Sequence, residues 1–376
     1  MRFLTDYCEV HFPELGLSLD VYENFLEIPF GGDTITIKFY GVIIAFGFVL
    51  AALFGGRKAY VWKMSLDHMV DVLIYGIIGA VVGARLYYVA FQWDEYKDNL
   101  LSIFKIWEGG LAIYGGIIGG IITAYFVCRK TGLPFLKLLD LIGMALPIGQ
   151  GIGRWGNFTN QEAFGVNTTS LFGMTSDKIV DYINSHQQEF AEYGIEMNPD
   201  LPVHPTFLYE SVWCLLGFAL LSFWSKRRKY DGQILLMYMA WYGIERAVVE
   251  GLRTDSLMIG SIRISQAISI VIAIIAIILL VIMHFRVKRD PESYVLYAST
   301  EESRMLIEES RRKSMNMKGA GALDDDDDDD EIGILDDEDD DEMEISDEDD
   351  NDDDISDDSD DDNDSDEDSE ENTKED

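Results

Sequence analysis

Three arginines stand among residues that are otherwise largely apolar. Arg85 lies in GARLYYV, Arg154 in GIGRWGNFTNQE and Arg246 in YGIERAVVEG. Each sits inside or at the end of a long apolar run, where an ionised group is costly and points to function by default. Partners are near in sequence. Asn157 follows Arg154 by one helical turn, and Glu162 comes next. Tyr242, Arg246 and Glu250 recur every fourth residue, which puts them on one helix face. His204 and Glu210 bracket the start of another run. Glu108 and Tyr114 open a further one, and Arg253 and Asp255 follow Glu250. Guanidinium forks match phosphate oxygens. The expected ligand is therefore an anion with apolar appendages, and a phospholipid headgroup fits. A structural alternative stands beside each assignment. Any of the arginines could simply pair with a neighbouring acid, Arg85 above all. Tyr114 could be an interfacial packing aromatic, and His204 a hydrogen-bonding structural residue. Glu245 and Asp140 read as structural.

The elements that must position these residues are apolar stretches at roughly 36–54, 69–91, 111–128, 136–153, 208–224, 232–249 and 262–283. Each is about as long as a helix needs to cross a bilayer. The runs are continuous rather than alternating, which favours helices over a membrane barrel. The fourth and sixth are interrupted by Asp140, Pro147 and Arg246, which is tolerable where polar groups face a protein-lined cavity. Lys and Arg gather in alternate loops, at Arg57–Lys63, Arg129–Lys137, Lys226–Lys229 and Arg286–Arg289. That asymmetry predicts an outside N-terminus and a cytoplasmic C-terminal tail. Gly79 and Gly83, and the pairs Gly115–Gly116 and Gly119–Gly120, have the spacing of close helix packing.

The expected fold is thus all-α: a polytopic membrane bundle of seven transmembrane helices with a disordered acidic tail. Residues 1–35 are an extracytoplasmic segment, without the basic start and short apolar run of a cleaved signal. Residues 36–285 are the catalytic membrane domain, with 154–207 as an outer loop or arm. Residues 286–323 are a cytoplasmic linker and 324–376 the tail.

Composition supports this division. The chain of 376 residues carries a net charge of -39, but residues 1–290 hold 27 acids and 23 bases, a net of only -4. Residues 324–376 hold 36 acids and one Lys, too little apolar surface to offset folding entropy. With no basic domain, nucleic-acid binding is excluded. Cys8, Cys128 and Cys214 are scattered, as are the five histidines, so neither a disulfide scaffold nor a metal site is expected. A transporter or flippase should show paired repeats with matching broken spans, which seven unequal stretches do not provide. A non-enzymatic scaffold built around the tail would leave the Arg–Asn–Tyr–Glu cluster unused.

The blocks carrying these residues resemble the prolipoprotein diacylglyceryl transferase family over about residues 30–285. They are WEGGLAIYGGIIGG at 107–120, GIGRWGNFTNQEAFG at 151–165, VHPTFLYE at 203–210 and YGIERAVVEGLRTD at 242–255. The resemblance implies transfer of the diacylglyceryl group of phosphatidylglycerol to the lipobox cysteine of prolipoproteins bearing signal peptides. The product is a thioether, and glycerol phosphate leaves. This is the first step of bacterial lipoprotein maturation, at the cytoplasmic membrane. It implies catalytic roles for Arg246, Tyr114, Tyr242, Glu250 and His204. Arg154, Asn157, Glu162 and Arg85 would bind the lipid. Tyr114 stands where many members carry His; a phenol, with a pKa near 10, suits headgroup hydrogen bonding better than proton abstraction at neutral pH. No cofactor, metal or nucleic acid is implied, and the enzyme is expected to act as a monomer in the bilayer.

Overall fold

The computed structural model describes residues 2–30, 33–97, 99–254, 258–259, 262–301 and 303–305, together with 308 and 312. The acidic tail and Asp255 lie outside the described residues. Each apolar stretch contains one long helix. These are α1 (Phe39–Val61), α2 (Leu66–Phe91), α4 (Ile113–Thr131), α5 (Phe135–Asn160), α8 (Thr206–Ser225), α9 (Gln233–Leu252) and α10 (Ile264–Arg289). Short helices α3 (Trp93–Tyr96), α6 (Asp177–Ser185) and α7 (Gln187–Glu192) lie between them. By length and composition α1, α2, α5, α8 and α10 can cross a membrane. The glycine-rich α4 and the charged α9 are not among those five.

The chain is not wholly helical. Residues expected only as a polar segment form an antiparallel sheet, β1 (Arg2–Phe12), β2 (Leu17–Phe30) and β3 (Asp33–Lys38), in the order β1-β2-β3. Two-residue strands β4 (Met258–Ile259) and β5 (Ile262–Arg263) make a second, minimal sheet. Alternation is visible in Thr34-Ile35-Thr36-Ile37, but β1 carries positive φ at Leu4 and Asp6 and breaks its period. The hairpin turns at Pro13–Leu15 and closes on Gly16, whose φ of 59° is the left-handed conformation glycine tolerates.

The packing follows the small residues. α2 and α4 pair through Gly79, Gly83, Gly115 and Gly119. A Cβ on Gly83 would strike the Gly115 carbonyl, and one on Gly119 the Gly79 carbonyl. This is the close backbone approach that such spacing permits. α5 packs between α1 and α8, and α10 covers α9. Asp140 of α5 fixes the start of α9. Its Oδ2 accepts the Gly232 N–H and its Oδ1 the Leu235 N–H, each at 2.8 Å. A helix N-terminus has unpaired N–H groups, and here a neighbouring helix satisfies two of them.

The segment between α5 and α8 forms a compact arm with its own apolar core. Ile179, Ile183, Phe190, Met197 and Val203 pack with Val10, Phe12 and Val21 of the hairpin. His11 pairs with Thr175 through both backbone groups. Lys178 and Lys38 both reach Glu23 at 2.8 Å. The hairpin therefore straps the arm to the start of α1.

Candidate functional site

The last turns of α5, the first turns of α8 and the end of α9 converge on one carboxylate. Glu210 of α8 is 1 % exposed. Its Oε2 lies 2.5 Å from Arg154 Nη2 and 3.3 Å from Arg246 Nη1, and its Oε1 lies 3.6 Å from Arg253 Nη1. Arg246 Nη2 also bonds Glu250. The i,i+4 spacing on α9 thus does what the sequence pattern promised, and Arg154 arrives from a different helix. Three guanidinium groups meet Glu210 and Glu250. The opposite charges hold the arginines in place, while one positive charge remains in excess within this group of five. Such a cluster suits an anion, because the donors are already oriented.

The supports are equally specific. Gln161, at φ 57°, ends α5 in the left-handed conformation. The chain then turns so that the Glu162 N–H bonds the Asn157 carbonyl and Glu162 Oε1 accepts Asn157 Nδ2 at 2.9 Å. Asn160 Nδ2 reaches the same oxygen at 3.3 Å. Trp213 and Trp241 stack at 4.5 Å, each indole donating to the other's carbonyl, which fixes α8 against α9.

Beside the arginines opens an apolar cavity of about 710 Å³ between α1, α2 and α5. Arg154, Asn157, Gln150 and Tyr242 form its polar end, with Tyr40 from α1. Many lining side chains, such as Ile44, Phe48 and Val70, are half exposed. The cavity is therefore open to the side, where lipid would surround the helices.

The structure brings together Arg154, Arg246, Glu250 and, at the cavity's polar end, Asn157 and Tyr242. Glu162 joins through Asn157. Arg85 is buried elsewhere. Its Nε donates to Ile103 O at 2.8 Å, Nη1 to Gly109 O and Gly110 O at 2.7 and 2.9 Å, and Nη2 to Ser102 O and Lys105 O at 2.8 and 3.4 Å. Five donors meet five carbonyls, so this guanidinium organises the loop that leads into α4. Tyr114 sits at the start of that helix, 46 % exposed, beside Ile113, which lines the cavity. His204 stands at the base of the arm. Its backbone bonds Val166 and Gly165, and its Nδ1 lies 3.2 Å from Tyr209 Oη. Burial holds its imidazole below the ordinary value, so it is neutral at neutral pH. Among the described residues, no group of three His, Cys, Asp or Glu side chains could hold a metal ion.

Glu210 and Arg253 are conspicuous in the sequence but carry no assigned role there; the structure makes Glu210 the hub. The available signal was an acid within the first turns of an apolar stretch. Glu245 differs from its neighbours. It is 2 % exposed on α9, and neither carboxylate oxygen has a hydrogen-bond partner.

The chain is similar in sequence to a family of known proteins. The family model described as prolipoprotein diacylglyceryl transferase matches residues 28–282. A phosphatidylglycerol–prolipoprotein diacylglyceryl transferase of Listeria innocua is 42% identical over 264 residues, covering 70% of this chain and 90% of the relative. Proteins of the same name from Finegoldia magna and Limosilactobacillus reuteri are 45% identical over 246 residues and 44% over 257. They cover 65% and 68% of this chain and 90% of each relative.

Proposed function

The chain belongs to the prolipoprotein diacylglyceryl transferase family and is an enzyme of that transferase class, and from that premise we propose its reaction and the residues that perform it. The substrate lipid is phosphatidylglycerol, and the acceptor is the lipobox cysteine of a prolipoprotein. The thiol loses its proton, and the thiolate sulfur attacks the glycerol carbon that carries the phosphate. The C–O bond to phosphate breaks, its electron pair stays with oxygen, and glycerol phosphate leaves with the proton balance closed by the released thiol proton. The observation that carries this reading is an arginine cluster at the polar end of an apolar cavity open to the membrane.

Arg154 and Arg246 hold the phosphodiester and stabilise the charge that grows on the departing phosphate. Glu250 and Glu210 orient them. Asn157 and Tyr242 align headgroup oxygens, and Glu162 fixes the Asn157 amide. Arg85 acts through the loop it organises, which presents Tyr114 towards the headgroup. Neutral His204, at the base of the arm, serves the arriving peptide as a proton acceptor. With α4 and α9 the bundle makes seven crossings of a bacterial cytoplasmic membrane. In it the arm lies outside, the C-terminus lies in the cytoplasm and the chain works as a monomer. Residues 324–376 take no part in the chemistry.

The test is direct. Full-length protein is incubated with phosphatidylglycerol vesicles and a lipobox peptide, and the peptide is read by mass spectrometry. A diacylglyceryl thioether is expected with the wild type and none with Arg154→Ala. Failure of folded wild-type protein to form the adduct contradicts the proposal.

A further inference from the structure

The cavity beside the arginines has a far end of distinct composition. α1 gives Tyr40, Ile44, Phe48, Ala52 and Gly56 to one wall, every fourth residue and hence a single stripe. α5 gives the facing wall from Asn157 back to Leu141. The two helices run antiparallel, because Gly156 faces the Tyr40 ring while Gly47 faces Gly149 and Ile152. Tyr40 to Gly56 on α1 covers about 24 Å at 1.5 Å per residue, and Asn157 to Leu141 on α5 covers the same. One end is therefore polar, with Arg154 and Asn157; the other is lined by Gly55, Gly56, Leu66 and Met69.

Away from Arg154, Asn157, Gln150 and the two tyrosines the lining is apolar, which suits a hydrocarbon chain. The charge at the polar end matches a phosphate, so the occupant is the lipid's own tail. The far-end glycines are not there for close packing. A Cβ added to Gly55 or Gly56 would meet no atom within 4 Å, in contrast to Gly83 and Gly119. The space they leave is cavity space.

We propose that Gly55 and Gly56 set the acyl-chain length this enzyme accepts, by leaving room for the end of a long chain whose headgroup is held at Arg154. The proposal rests on the reading of the cavity as the phosphatidylglycerol site.

Its test compares didecanoyl- and distearoyl-phosphatidylglycerol as donors to a lipobox peptide, with full-length protein carrying Gly55→Leu, Gly56→Leu or the smaller Gly56→Ala. Gly41→Leu is the control. That glycine also has open space around it but lies outside the cavity lining. The ratio of distearoyl to didecanoyl turnover should fall about tenfold in Gly56→Leu, the scale on which a filled apolar pocket discriminates. Gly56→Ala should fall in the same direction by less, and Gly41→Leu should keep the wild-type ratio. General damage lowers both donors together and leaves the ratio unchanged. An unchanged ratio in Gly55→Leu and Gly56→Leu overturns the proposal, as does a raised peptide KM with no change in lipid ratio, which would place the signal peptide in the cavity. A wild type that uses neither donor refutes the functional reading itself, whereas an active wild type with insensitive variants refutes only the role of the glycines.

Discussion

At the residue scale the site turns on Glu210. It contacts three arginines from two other helices or their ends while itself fully enclosed. Glu210→Gln keeps the shape and removes the charge that gathers them. It should cost about 3 kcal/mol of stability, because breaking a buried ion pair leaves uncompensated charge. It should also lower kcat by about a hundredfold through disordered phosphate donors. Thermal unfolding in detergent and thioether formation measure the two effects. Glu245→Gln makes the opposite prediction for folding. Its carboxylate forms no hydrogen bond, so the amide should leave the unfolding midpoint unchanged or raised. A drop as large as that of Glu210→Gln would show a partner in solution. The residue types of this site were legible in the sequence, because a charge in an apolar run is conspicuous wherever the chain goes next. The hub was not. Glu210 joins Arg154 and Arg253 across long sequence separations, and no local spacing encodes that meeting. Arg85 was conspicuous for the same reason as Arg154, yet its five carbonyl partners come from a loop whose course only the fold determines.

At the element scale, helices were readable because apolar run length is a local property. The sheet at residues 2–38 was not, because left-handed backbone at Leu4 and Asp6 interrupts the alternation of β1. That sheet has a role that can be measured. Glu23 is held below the ordinary carboxylate range by its hydrogen bonds to Lys178 and Lys38. A depressed carboxylate contributes stability above its unfolded value, and that contribution is lost as pH falls through the folded value. The strap between hairpin and arm should therefore loosen at pH below 4.5, the ordinary value for this group. Faster amide exchange in β1 and β2 under acid, and already at neutral pH in Glu23→Gln, is the expected result. α2 and α4 offer a second check. Gly119→Leu drives a side chain into the Gly79 backbone and should cost about 1–3 kcal/mol by overpacking. The same change at Gly41, where space is open, should cost far less.

At the scale of the whole molecule, the net charge of -39 describes the C-terminal segment and not the enzyme body. The family match ends at residue 282, so protein lacking residues 324–376 should keep full thioether formation; loss of activity on that deletion would assign the acidic segment a catalytic part. The reaction proposed for the enzyme is cleavage of phosphatidylglycerol between the diacylglycerol carbon and its phosphate oxygen, by a sulfur nucleophile held beside Arg154 and Arg246. The measurement that reaches it most directly is the stoichiometry of products from headgroup-labelled phosphatidylglycerol and a lipobox peptide. One labelled glycerol phosphate should be released for each diacylglyceryl thioether formed, and neither should appear with Arg246→Ala or with a peptide whose cysteine is replaced by serine. Glycerol phosphate released without thioether, or thioether formed without it, would contradict that reaction.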